Sequence, residues 1–142
     1  MKLSIIGRIG IISQLWKRHL QKQLVPHNIT LKQIYLLKHL IRVDYLYPSR
    51  IAELLFCDRP TASVIIGNLF KTGWVKKDHD SENRKRVRIS ITLEGAKKLN
   101  QVLEAGYQGD RSLDLKTALT KQEIKSLDGA LIKVQAIIEK MR

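Results

Sequence analysis

Two short, apolar-striped helical segments, a tight turn between them and a cation-rich hairpin directly behind them constrain this chain more than any other feature. Ser49 can cap a short helix over residues 50–56, with Ile51, Leu54 and Leu55 facing inward. The turn Phe56-Cys57-Asp58 follows, and Asp58 is an N-cap candidate. Pro60 lies in the first turn of the next helix, where its missing N–H costs nothing. That helix, about 59–72, buries Ala62, Ile65, Ile66 and Leu69, an i, i+3, i+4, i+7 stripe, and Gly73 stops it. Trp74-Val75-Lys76-Lys77 reads as a strand. Residues 79–86 form a polar loop, and Val87, Ile89 and Ile91 alternate with Arg88 and Ser90 as a second strand. Helix, turn, helix and β-ribbon in this order predict a helix-turn-helix carrying a wing.

Helices flank this unit. Ile5, Ile9, Ile12, Trp16 and Leu20 share one helical face, Pro26 ends that helix, and Asn28 helps the turn. Thr30 and Gln33 form a capping box for a second helix with Ile34, Leu37 and Ile41 inward, ended by Tyr45-Leu46-Tyr47-Pro48. Thr92 caps the helix after the wing, with Ala96, Leu99, Val102 and Leu103 inward, and Gly106-Tyr107-Gln108-Gly109-Asp110 interrupts it. Thr120 with Glu123 is another capping box. Behind it Ile124, Leu127, Leu131, Val134, Ile138 and Met141 make an a/d seam of about two and a half heptads, which requires a partner helix on this chain or a second one. The expected fold is mainly α with a small β-wing. Residues 1–142 are read as one domain, its winged helix-turn-helix at 30–91 flanked by helical parts at 1–29 and 92–142.

Charge narrows the partner. The 142 residues carry 26 Lys/Arg against 13 Asp/Glu, a formal net charge of +13. The excess is +8 in residues 1–50 and +4 in 51–100, but only +1 in 101–142. Such asymmetry points to a polyanion, usually nucleic acid. The competing explanations are a solvated basic surface, or an anionic membrane. No helix here pairs a lysine-rich face with an aromatic one, so no membrane partner is expected. A hydrophobic content of 44% suffices for a core. The opening Met1–Gly7 resembles a signal peptide until Arg8 breaks it, and no charge-free run approaches the roughly 20 residues of a membrane span. A single cysteine excludes an internal disulfide and fits a reducing compartment, so a soluble cytoplasmic chain is expected. His19, His27, His39 and His79 are scattered, and no metal-ligand spacing, P-loop, nucleophile elbow, Rossmann glycine pattern or HExxH is found. No metal, cofactor or enzymatic activity is expected.

With its stripe buried, the helix at 59–72 turns Arg59, Pro60, Thr61, Ser63, Val64, Gly67, Asn68 and Lys71 outward. Arg59 can bond guanine bidentately, Thr61 and Ser63 suit several base edges, and Val64 can meet a thymine methyl. An exposed valine and glycine in mid-helix suit a groove better than water. Arg84, Lys85, Arg86 and Arg88 put four cations at the hairpin tip; an arginine there suits a narrow minor groove, and Lys85 and Arg86 suit phosphates. Ser49 and Arg50, at the start of the preceding helix, are further DNA-backbone candidates.

The stretch from Ile51 to Gly95 resembles the winged helix of the MarR-type bacterial transcriptional regulators. The matching pieces are Ile51-Ala52-Glu53-Leu54-Leu55, Asp58-Arg59-Pro60-Thr61-Ala62-Ser63 and Leu69-Phe70-Lys71-Thr72-Gly73-Trp74-Val75, then Asp80-Ser81-Glu82-Asn83-Arg84 and Thr92-Leu93-Glu94-Gly95 at the family's wing spacing. The resemblance implies a homodimer with interlocking terminal helices that presents two recognition helices to a pseudo-palindrome. Its dimerisation residues would be Ile5, Ile9, Ile12 and Trp16 with Ile124, Leu127, Leu131, Val134, Ile138 and Met141. It further implies a repressor responsive to a small-molecule or redox input.

Two positions depart from the family pattern. Asn83 stands where an aspartate usually braces the wing arginine, so Arg84 is less firmly held unless Asp80 or Glu82 substitutes. Gly106 and Gly109 suggest a kink or break in a helix that is usually continuous. Cys57 lies away from the position of the family's thiol sensors and reads as a buried structural thiol, with a redox-active thiol beside Arg59 and a helix N-terminus as the alternative. The zinc sensors' ligands are not matched. An aromatic effector pocket near Trp16, Tyr35, Tyr45 and Tyr47 competes with ordinary packing of those rings. Two other functions fit the same basic face: an architectural or RNA-binding protein without base readout, and an adaptor docking another protein.

Overall fold

Six α-helices and one β-hairpin make up the chain in the computed structural model, which describes residues 2–141. In order they are α1 (Ile5–Leu24), a 3-10 turn, α2 (Leu31–Leu40), α3 (Pro48–Leu54), α4 (Arg59–Lys71), β1 (Val75–His79), β2 (Val87–Ile91) and α5 (Leu93–Glu104). Two further 3-10 turns lead to α6 (Lys121–Glu139). This is the mainly helical fold with a β-wing that the sequence pattern predicts. The chain divides into two compact units, residues 1–107 and 108–142.

The first unit is built on one apolar core. Leu20 and Leu24 of α1, Ile34, Leu36, Leu37 and Leu40 of α2, Ile51 of α3, Leu69 of α4, Ile89 of β2 and Val102 of α5 are all fully buried in it. Each fully buried Leu, Ile or Val contributes roughly 1.5–3 kcal/mol over leaving it in water. Local chemistry sets the element starts. Thr30 and Gln33 exchange the two hydrogen bonds of a capping box at 3.2 and 3.0 Å, and Thr92 Oγ1 accepts from Gly95 N at 3.0 Å.

Three local expectations fail, each for a physical reason. Ser49 does not cap α3: Pro48 occupies the first helical position, which puts Tyr47 at the N-cap with extended backbone. α2 stops at Leu40, so Ile41 is its C-cap and stays exposed, while Leu36 and Leu40 take the inward places. In α1 only the C-terminal part of the apolar face is buried; Ile5 is 75% exposed and Ile12 59% exposed, while Ile9 and Trp16 are half-buried.

α5 ends at Glu104, and Gly106 follows with φ +104°, so the glycines do break the helix. In the second unit α6 opens on the expected capping box, Glu123 N to Thr120 Oγ1 at 3.1 Å and Thr120 N to Glu123 Oε1 at 3.0 Å. Its seam is largely uncovered: Leu127, Leu131, Ile138 and Met141 are exposed, and Ile124 and Val134 half-buried.

The helix-turn-helix turn holds Phe56 at φ 52°, a left-handed conformation that disfavours any residue with a Cβ, and leaves its side chain 91% exposed. Nothing is buried in exchange for that strain. Phe56→Gly should therefore raise stability by about 1 kcal/mol, the relief of the left-handed penalty less the extra chain entropy of glycine. Chemical denaturation measures it, and a loss of stability would mean that the ring has a packing role.

Candidate nucleic-acid interface

The start of α4 is capped by a side chain and opened by a proline. Asp58 has extended backbone and accepts from Thr61 N at 2.7 Å, and Pro60 sits in the first turn. Hydrogen bonding from Thr61 holds the Asp58 carboxyl below the usual carboxylate range. A depressed carboxylate pKa supports the fold above its unfolded value and fails only as pH falls through the folded one, so this cap is intact at neutral pH. Ala62, Ile66 and Leu69 anchor the inner face, with Ile65 half-buried beside them. Arg59, Pro60, Thr61, Ser63, Val64, Asn68 and Lys71 all lie on the exposed side, and Val64 is 63% exposed. A Cβ added at Gly67 would meet nothing within 4 Å. The helix therefore presents a shallow face of short polar and apolar groups, with Arg59 at its N-terminal end and Lys71 at the other.

The wing is an antiparallel ribbon in the register Val75↔Ile91 to His79↔Val87. Asp80 N donates to Arg86 O and Arg86 N to Asn83 O, both at 2.9 Å, closing the loop between the strands. Asn83 Oδ1 accepts from Lys85 N at 3.1 Å, and His79 Nδ1 lies 2.9 Å from Arg84 O. These bonds leave the side chains of residues 81–86, including Arg84, Lys85 and Arg86, exposed at the tip.

A feature absent from the sequence reading sits at the wing base. Leu46 pairs with Ile89 through two 2.8 Å backbone hydrogen bonds, adding a one-residue third strand. That bridge brings Tyr45 and Tyr47 over the ribbon. Arg86 stacks 3.6 Å from the Tyr47 ring centroid and Arg88 4.4 Å from that of Tyr45. Asp80, only 4% exposed, is the hub. Its Oδ1 accepts from Glu82 N at 2.9 Å and Asn83 N at 3.2 Å, and its Oδ2 accepts from the Tyr47 hydroxyl and from Arg88 Nε at 3.2 Å.

The Tyr47 hydroxyl first, then the Glu82 amide, hold the Asp80 carboxyl well below the usual carboxylate range; the same bond pushes the Tyr47 phenol up to about 12. The raised phenol supports the fold below its ordinary value of about 10 and loses that support as pH rises through its folded value. The depressed carboxyl supports it above about 3.9 and loses that support as pH falls through its own. Both halves of the pair hold across the neutral range.

Several sequence readings change here. Asp80 braces Arg88 rather than Arg84. Tyr45 and Tyr47 face wing arginines, and Trp16 stacks on His19 with ring centroids 5.3 Å apart. Cys57 is half-buried rather than buried, with its N–H donating to Ala52 O at 3.0 Å. Ser49 and Arg50 are exposed in the first turn of α3, where Arg50 pairs with Glu53 at 2.8 Å. His39, which sequence reasoning left without a role, has its pKa lowered by burial first and then by Arg42, Arg50 and Lys38. That neighbourhood marks a cationic patch between the end of α2 and the start of α3. Among the described residues no group of three or more His, Cys, Asp or Glu is placed to hold a metal ion, and no helix is long and apolar enough to cross a membrane.

A helix-turn-helix whose second helix is exposed, a cationic ribbon behind it and flanking helices define the winged helix-turn-helix class. No protein-family model matches the chain. Its sequence is 25% identical over 134 residues to the HTH-type transcriptional regulator PecS of Dickeya dadantii, covering 92% of this chain and 80% of that protein. Its structure is similar to MepR of S. aureus in a DNA complex, with TM-score 0.83 and 21% identity over 95% of this chain and 98% of that one. It is similar also to a mutant MarR of E. coli complexed with operator DNA, with TM-score 0.77 and 25% identity over 91% and 92% of the two chains. The chain thus has the MarR-type winged-helix fold, and its structural neighbours are MarR-family regulators.

Proposed function

We propose that this chain is a sequence-specific, double-stranded DNA-binding transcriptional regulator that acts as a homodimer on a pseudo-palindromic operator. The observation that carries it is the pairing of a capped helix exposing Arg59, Thr61, Ser63 and Val64 with a cationic wing, on a fold that binds DNA in MepR and operator DNA in MarR. Helix α4 enters the major groove, where Arg59, Pro60, Thr61, Ser63, Val64, Asn68 and Lys71 face the bases and flanking phosphates. Arg84, Lys85 and Arg86 of the wing reach the minor groove and backbone. Ser49 and Arg50 touch phosphates. Dimerisation uses the apolar faces of the terminal helices at 1–29 and 92–142, and winged helix 30–91 does the reading. The regulatory sense is repression released by a small molecule, because a bound dimer occludes its site and an effector can change the spacing of its two recognition helices.

Selection from a random duplex library at about 150 mM salt tests the reading at physiological screening. The expected product is a palindrome whose half-sites lie about one turn, roughly 10 base pairs, apart. Retention without a motif would make the chain an architectural binder, and no retention at low salt would overturn DNA binding altogether.

On the selected duplex, Arg59→Ala should cost about 1–3 kcal/mol and relax preference at one base pair. Lys85→Ala should instead weaken every duplex alike and flatten the salt slope by about one unit. Affinity measured across a mutated-site series and a salt series separates the two roles. A uniform loss for Arg59→Ala, or an unchanged slope for Lys85→Ala, contradicts the corresponding assignment.

A further inference from the structure

We propose that Tyr47 is a positioning residue for the wing: its hydroxyl fastens the loop base through Asp80, and its ring face aims the Arg86 guanidinium at a DNA phosphate. The second half rests on the DNA-binding reading; the first does not.

Tyr47 and Asp80 are 33 residues apart in sequence, so their hydrogen bond ties the start of α3 to the wing across the fold. Asp80 is buried and uses both carboxylate oxygens. Oδ1 holds the turn amides of Glu82 and Asn83, and Oδ2 holds Tyr47 and Arg88. Without the phenol, Oδ2 keeps only Arg88, so the carboxylate loses its tie to the start of α3 and holds the two loop amides less firmly. The wing has only two five-residue strands plus the Leu46 bridge, and apart from Asp80 its loop is closed by bonds local to residues 79–86.

The ring acts separately. A guanidinium stacked flat on an aromatic face loses none of its in-plane N–H donors, and it loses rotational freedom before it meets its acceptor. With Arg86 at 3.6 Å from the Tyr47 centroid, that fork is held against the ring and remains solvent-accessible. Arg88 is taken up by Asp80 and by Tyr45, so Arg86 is the stacked arginine left to contact DNA.

Tyr47→Phe removes the hydroxyl and keeps the ring, whereas Tyr47→Leu removes both. Trypsin cleavage after Arg84, Lys85 and Arg86 requires the loop to leave its closed form and reports wing position without DNA. Loss of a charge-assisted hydrogen bond should speed it about tenfold in both variants. A mixed-sequence duplex of about 30 base pairs at low salt reads phosphate contacts irrespective of sequence. On it Arg86→Ala should cost the same in the wild-type and Tyr47→Phe backgrounds, and little in the Tyr47→Leu background.

Asp80→Asn, which keeps both rings, repeats the cleavage test should Tyr47→Phe lower the melting temperature of the whole unit. Unchanged cleavage in Tyr47→Phe and Asp80→Asn overturns the clasp. An Arg86→Ala cost that persists in Tyr47→Leu overturns the role of the ring. If the wild type binds no duplex while cleavage still accelerates, the DNA reading fails and takes the phosphate role with it, and the clasp stands.

Discussion

Gly95→Ala should destabilise the first unit by about 3 kcal/mol or more, the range of a core substitution with no room to relax. A Cβ at this position would collide with the Trp74 carbonyl oxygen, 3.0 Å from the carbonyl carbon and 2.9 Å from Ile91 Cγ1. The obstacle is backbone, and it is fixed on both sides. The same Trp74 oxygen accepts from Thr92 N at 3.0 Å, while Thr92 Oγ1 donates to Gly73 O at 2.5 Å and accepts from Gly95 N at 3.0 Å. Any shift that admits the methyl must break the link between the end of α4, the wing and the start of α5. Gly67→Ala is the control: open space surrounds that site, and alanine's helix propensity should add up to about 1 kcal/mol. Denaturant unfolding of both variants decides the matter. A Gly95→Ala protein within about 0.5 kcal/mol of wild type would mean that the packing against Trp74 is not tight in solution.

The Thr92-Leu93-Glu94-Gly95 signature was legible as a pattern, and the structure supplies its cause. Local signals translated well in general. Capping boxes at Thr30 and Thr120 and N-caps at Asp58 and Thr92 need only residues within one turn, so a sequence displays them directly. The buried stripe of α4 is likewise a matter of period. Ser49 misled because Pro48 beside it competes for the same boundary and starts the helix two residues earlier. Tyr45 and Tyr47 read as packing or pocket aromatics because their partners, Arg86, Arg88 and Asp80, lie some 33–43 positions away, and no period or spacing announces a cation–π stack. The buried Asp80 left one trace, its place at the head of the wing motif, but which arginine it would brace depends on the pleat of the ribbon. Arg88 pairs across the ribbon with Asp78 and reaches Asp80 at the loop base, whereas Arg84 sits out at the tip.

The proposed dimer carries the other large effect. Replacing Leu127 and Leu131 together by glutamate should convert a species of twice 16.4 kDa into one of 16.4 kDa and weaken operator binding by about 10²–10⁴-fold. The wide span is that of losing a tethered second site, since each half-site contact survives but must then be made alone. Leu127 and Leu131 remain 44% and 39% exposed, and with Ile138 they form an exposed a/d seam on α6. Glutamate is close to leucine in helix propensity, so α6 itself should persist with its Thr120–Glu123 box intact, and circular dichroism verifies this. Two charges buried against their symmetry mates would instead be unpaired and mutually repulsive, a cost that association cannot offset. Sedimentation and operator binding must then move together. A variant that stays dimeric puts the interface elsewhere, with the exposed Ile5 and Ile12 of α1 the next face to test. A variant that becomes monomeric yet binds its operator as tightly as before would mean that one winged helix reads DNA alone, and the palindrome expected from selection would have no physical basis.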